Sequence, residues 1–139
     1  MSLSIRNQLA GTVTTVTVGE AMATVKVRLA GGQEITAAVT AEAVKELGII
    51  PGSAVKALVK ATEVALATAP VANLSIRNQL TGTVAEVTAG PAMAAVKVNV
   101  SGGGLTAAVT ADAVAALGLS AGSSVVALIK STEISLATA

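Results

Sequence analysis

The chain contains itself twice: Leu3-Ser4-Ile5-Arg6-Asn7-Gln8-Leu9 returns letter for letter as Leu74-Ser75-Ile76-Arg77-Asn78-Gln79-Leu80. The correspondence runs on toward the C-terminus and loses one residue where Gly31-Gly32-Gln33-Glu34-Ile35 faces Gly102-Gly103-Gly104-Leu105. A repeat of this size within 139 residues predicts two small modules, each too short for a deep core of its own. Their bounds fall at 1–69 and 73–139, joined by a short linker at 70–72 that contains Pro70.

Within each copy apolar and other residues alternate with period two, as in Val25-Lys26-Val27-Arg28-Leu29, and β-branched residues are frequent. Strands are expected near 3–17, 22–30, 33–39, 53–60 and 62–67, with a tight hairpin at Gly31-Gly32. Thr40-Ala41-Glu42-Ala43-Val44-Lys45-Glu46-Leu47-Gly48 carries a capping hydroxyl, an acid in its first turn and a glycine stop, the marks of one short helix. The second copy reads the same way, with Thr110 as cap and Gly118 as stop. Three strands, a helix and two strands is the order of a small Greek-key barrel. The expected fold class is therefore all-β: tandem OB-type barrels, each with one short helix between strands 3 and 4. The long first strand and the close duplication are compatible with an exchange of strands between copies, which the sequence leaves open.

The chain has no Phe, Tyr or Trp and no Cys, so neither large rings nor disulfides reinforce such small modules. Association is the remaining source of buried area, first between the copies and then between chains, and a stable oligomer is expected. The lack of both His and Cys removes zinc sites, iron–sulfur clusters, thiol nucleophiles and the commonest general base. A net charge of +1 and the lack of rings argue against a grip on nucleic acid or on an anionic membrane. No apolar run is long enough to span a bilayer, and the first residues are not a charged head followed by an apolar core. The chain reads as a soluble cytoplasmic protein without catalytic machinery.

Few charged residues recur between the copies. The basic pairs that do are Arg6/Arg77, Lys26/Lys97 and Lys60/Lys130, whereas Arg28, Lys45 and Lys56 give way to Asn99, Ala115 and Val126. Among the acids, Glu42/Asp112 fits a helix dipole, which leaves Glu63/Glu133 and no paired carboxylates for acid–base work. On an extended strand Ser4 and Arg6 would leave the same face about 7 Å apart. The same alternation would put Glu63 and Glu133 opposite Lys60 and Lys130. Thr40 opens a helix whose first amides are unpaired, a ready anion site if Arg6 and Lys60 approach it. Cationic side chains, hydroxyls and amides around one point suit a compact tetrahedral dianion and need no metal ligated by protein atoms.

Taken together, Ser4-Ile5-Arg6-Asn7 followed by Gln8-Leu9-Ala10-Gly11-Thr12-Val13, the helix entry Ala38-Val39-Thr40-Ala41, Leu47-Gly48 with Gly52-Ser53, and the endings Val59-Lys60-Ala61 and Ile129-Lys130-Ser131 resemble the molbindin (Mop) domain. The duplication resembles the tandem, di-Mop form. The resemblance implies an OB-type fold, assembly as a homotrimer, and cytoplasmic binding of molybdate or tungstate between modules, for storage or homeostasis. By motif, the implied ligand-facing positions are Ser4, Arg6, Asn7, Thr40, Ala43, Lys60 and Ala61 in the first copy. In the second they are Ser75, Arg77, Asn78, Thr110, Ala113, Lys130 and Ser131. Ala43, Ala113 and Ala61 stand where the family often has hydroxyls, so they would offer only backbone amides. No catalytic cofactor is implied.

Overall fold

The computed structural model describes residues 2–138; Met1 and Ala139, which the module bounds include, lie outside the described residues. The first copy forms β1 (Asn7–Val18), β2 (Met22–Leu29), β3 (Glu34–Thr40), helix α1 (Ala41–Leu47), β4 (Ala54–Val59), a 3₁₀ turn (Ala61–Glu63) and β5 (Ala65–Ala67). The second forms β6 (Asn78–Ala89), β7 (Met93–Val100), β8 (Gly103–Thr110), α2 (Ala111–Leu117), β9 (Ser124–Ile129), a 3₁₀ turn (Ser131–Glu133) and β10 (Ser135–Thr138). Along β2 the alternation sorts the faces: Ala23, Val25, Val27 and Leu29 are buried, while Met22, Thr24, Lys26 and Arg28 are exposed.

Two elements begin later than alternation suggests. The first strand starts at Asn7 because its partner β4 ends at Val59, opposite Asn7, so residues 3–6 have no ladder to join. The last strand of each copy is shortened by the 3₁₀ turn at 61–63 or 131–133, so Glu63 and Glu133 do not follow strand alternation. Both Ser4 and Arg6 therefore lie outside a strand, and the same-face spacing expected of them does not apply.

The two sheets run β10-β4-β1-β2-β3 and β5-β9-β6-β7-β8. Each copy thus gives its last strand to the other: β10 pairs with β4 from Ser135–Leu58 to Thr138–Val55, and β5 pairs with β9. In each copy a 3₁₀ turn stands between the fourth strand and the strand that crosses to the other sheet. Each sheet curls until the borrowed strand approaches β3 or β8, which gives two OB-type Greek-key barrels. A single continuous core joins them, from Val25, Val27 and Ile35 on one side to Val96, Val98 and Leu105 on the other.

The hairpins after β2 and β7 meet back to back. A Cβ added at Gly31 would collide with the Ser101 backbone, and one at Gly102 with Gly31 and Ala30. By contrast, Gly104 has open space around it and an ordinary φ. Gly31→Ala should therefore force the copies apart and cost about 1–3 kcal/mol, whereas Gly104→Ala should be neutral or gain about 0.5 kcal/mol. Urea titration of the two variants checks this; equal midpoints would contradict the close approach.

Candidate functional site

The register of β1 on β4 brings the cationic residues together. Asn7 faces Val59 in the last pair of the antiparallel ladder, so the next residues outward on the two chains are Arg6 and Lys60. The same holds in the second copy, where Asn78 faces Ile129 and the next residues outward are Arg77 and Lys130. Where the ladder ends the chains splay, and in the first copy they enclose an open cleft of about 350 Å³. Ser4, Arg6 and Asn7 line one side, Lys60, Ala61 and Thr62 the other, and Thr106 of the second copy closes the end. No carboxylate lines it, and Glu63 in particular does not.

All four cationic side chains of the two clusters are exposed. Among the described residues the one ion pair within 4 Å joins Lys97 to Glu86 at 4.0 Å, on open surface. Arg6, Lys60, Arg77 and Lys130 therefore have no carboxylate partner among the described residues, and their charge is available to an anion.

Asn7 and Asn78 do something the sequence does not reveal. Asn7 Nδ2 donates to the Thr106 carbonyl at 2.8 Å, and the Thr106 N–H donates to Asn7 Oδ1 at 2.9 Å. Asn78 makes the reciprocal pair with Thr36, both bonds at 2.8 Å. At 4% and 3% exposure they are the buried polar side chains of the described residues, and each carboxamide stitches its copy to the backbone of the other. Nothing in the sequence beyond their matching places in the two copies marks Thr36 and Thr106. Gln33 adds a further crossing: its side chain donates to the Thr81 carbonyl at 3.1 Å and accepts the Thr81 N–H at 3.0 Å.

The helix starts lie apart from this cleft. Thr40 Oγ1 accepts the Ala43 N–H at 3.1 Å, and Thr110 Oγ1 accepts the Ala113 N–H at 3.1 Å. The Ala41 N–H goes to the Ala21 carbonyl and the Ala111 N–H to the Ala92 carbonyl, both at 2.9 Å. Most of the free amides expected at these termini are thus satisfied within the chain, as capping requires. Ala43 lines a different cavity, of about 270 Å³, with Thr132 and Leu136 of the second copy. Thr110 stands four residues along β8 from Thr106, about 13 Å at the usual rise per residue. The lining of the Arg6–Lys60 cleft includes neither helix start, whereas Ala43 shares its cavity with Thr132, two residues beyond Lys130.

In the second copy Arg77 borders a cavity with Val71, Ala72, Asn73 and Gln79. Gln79 clamps the linker there: its Nε2 donates to the Val71 carbonyl and its Oε1 accepts the Val71 N–H, both at 2.9 Å. Ser75 is exposed beside Arg77, while Ser131 is half-buried and its Oγ lies 3.4 Å from Asn78 Nδ2.

A family model described as the TOBE domain matches twice, over residues 3–66 and 74–136. The chain belongs to the TOBE domain family. Among solved structures, the cytoplasmic molybdate-binding protein ModG with molybdate bound matches this TOBE domain chain with a TM-score of 0.96 and 40% identity, over 100% of both chains. The molybdenum transport protein ModE of Azotobacter vinelandii is 41% identical over 138 residues, 99% of this chain and 51% of that protein. The molybdenum-pterin-binding protein MopB of Rhodobacter capsulatus is 40% identical over 136 residues, 96% of this chain and 50% of that protein. The chain spans about half the length of these curated relatives.

Removing a stitch leaves a backbone N–H and a carbonyl on β8 or β3 without partners. Asn7→Ala and Asn78→Ala should each cost about 2 kcal/mol or more, in the absence of any ligand. Thermal or urea unfolding measures this, and unchanged stability in either variant would contradict the inter-copy role.

Proposed function

We propose that this protein is a molbindin: a cytoplasmic, non-enzymatic binder of molybdate or tungstate that serves molybdenum storage and homeostasis. The observation that carries the reading is the cleft at the open end of β1 and β4, where Arg6 and Lys60 meet hydroxyls and a buried carboxamide, with no acid among its lining residues. The likeness to ModG over the full length, with molybdate bound there, supports the same ligand class here.

The proposed ligand set is Ser4, Arg6, Asn7, Lys60 and Ala61 in the first copy and Ser75, Arg77, Asn78, Lys130 and Ser131 in the second. The helix starts, with Thr40, Ala43, Thr110 and Ala113, join from a neighbouring subunit. Their absence from the lining of the Arg6–Lys60 cleft supports that placement, which makes the oligomer part of the site. Exposed apolar residues at matching places support association: Met22 and Met93 are each 50% exposed, and Leu47 and Leu117 are 41% and 38% exposed. The molbindin resemblance makes the assembly a homotrimer. Neither nucleic acid nor membrane is a proposed partner, and no catalytic cofactor is needed.

Arg6 and Lys60 would each contribute a charge-assisted hydrogen bond, so Arg6→Ala or Lys60→Ala should weaken molybdate binding about tenfold or more at that site. Isothermal titration calorimetry tests it; unchanged affinity and stoichiometry in both variants would refute the assignment. Tungstate should compete with molybdate at equal concentration, while hydrogen phosphate should compete only in large excess, because its remaining proton needs an acceptor in sites made chiefly of donors. Light scattering at micromolar concentration should give a trimer, and a monomer would contradict the shared site.

A further inference from the structure

We infer that the two copies form oxyanion sites of different selectivity, and that the residue after the site lysine, Ala61 in one and Ser131 in the other, sets the difference. The inference rests on the oxyanion-binding reading above and concerns the same sites.

Asn7 and Asn78 spend their oxygen and one amide hydrogen identically, on the backbone of the opposite copy. Each carboxamide has a second amide hydrogen. That of Asn78 is directed at Ser131 Oγ, 3.4 Å from Nδ2. At the matching place Ala61 offers no acceptor, and Asn7 Nδ2 has no second protein partner among the described residues although Asn7 is only 4% exposed. Asn7 and Ala61 both line the Arg6–Lys60 cleft. The copies are related by the same pattern of bonds, so the spare hydrogen of Asn7 is aimed past Ala61 into that cleft.

The first site therefore presents a held amide donor that cannot accept a hydrogen bond. In the second site, Ser131 takes up that hydrogen and presents a hydroxyl instead, which can donate or accept. A fully deprotonated tetrahedral dianion offers only acceptors and is satisfied by either group. Hydrogen phosphate brings one O–H of its own, which at this one differing position meets a donor in the first site and an acceptor in the second. The remaining pairs, Ser4/Ser75, Arg6/Arg77, Lys60/Lys130 and Thr62/Thr132, are identical in type and cancel in the comparison. One hydrogen bond to a charged group corresponds to roughly tenfold in binding, so the second-copy sites should admit hydrogen phosphate on the order of tenfold better than the first-copy sites.

The test is calorimetric titration with molybdate, without phosphate and in large excess of inorganic phosphate, on the unmodified full chain, Ala61→Ser and Ser131→Ala. Thermal melts confirm that both variants fold. In the unmodified protein, phosphate should weaken about half of the molybdate sites. In Ala61→Ser the phosphate-sensitive class should extend to all sites, and in Ser131→Ala it should disappear. Comparing variants of one chain removes any effect of the linker beside Arg77. An identical phosphate response in all three, with full molybdate stoichiometry, overturns this inference and leaves the oxyanion reading standing. No molybdate binding by the unmodified protein overturns both.

Discussion

Neither barrel is complete until the other copy supplies its last strand. The pairing of β10 with β4 and of β5 with β9 makes the two copies one cooperative body, despite their separate sequences. Because each copy's edge is covered by the other, no module can leave without opening two sheets and their common core. The reciprocal Asn7–Thr106 and Asn78–Thr36 bonds, and the back-to-back hairpins at Gly31 and Gly102, hold the copies at a separation that the exchanged strands span. This mutual burial stands in for the aromatic rings and disulfides that small domains commonly use.

The site is a consequence of where that ladder stops. Antiparallel pairing ends at Asn7–Val59 and Asn78–Ile129, and the next residues outward in both places are an arginine and a lysine. Two like charges at a splayed strand end repel each other, and no carboxylate among the described residues lies within ion-pair distance to relieve it. An anion between them would relieve it. The helix caps, whose hydroxyls are satisfied within the chain, do not line the Arg6–Lys60 cleft.

The features visible in the sequence were those set by local rules. The alternating faces of β2, the helix from its Thr40 cap to its Gly48 stop, and the order of an OB-type barrel all follow from neighbours in the chain. Composition alone would start β1 at residue 3, but residues 3–6 have no partner strand, and a strand needs both. The exchange could not be read, since Ala65–Ala67 carries the same pattern whichever barrel it enters. The molbindin motif includes Asn7 and Asn78 without revealing that most of their hydrogen-bonding capacity joins the copies. Recurrence singles out Arg6 and Lys60, and the register supplies the reason they belong together.

Whether the cationic pair at the end of the first strand holds an oxyanion is decided by where molybdenum binds. Anomalous diffraction at the molybdenum absorption edge, from crystals grown with molybdate, locates the metal without reference to any variant. A peak is expected beside the Arg6 guanidinium and the Lys60 Nζ, at the border with a neighbouring subunit, and a second peak in the matching place beside Arg77 and Lys130. Molybdenum found only elsewhere, with Arg6 and Lys60 facing solvent, would contradict it.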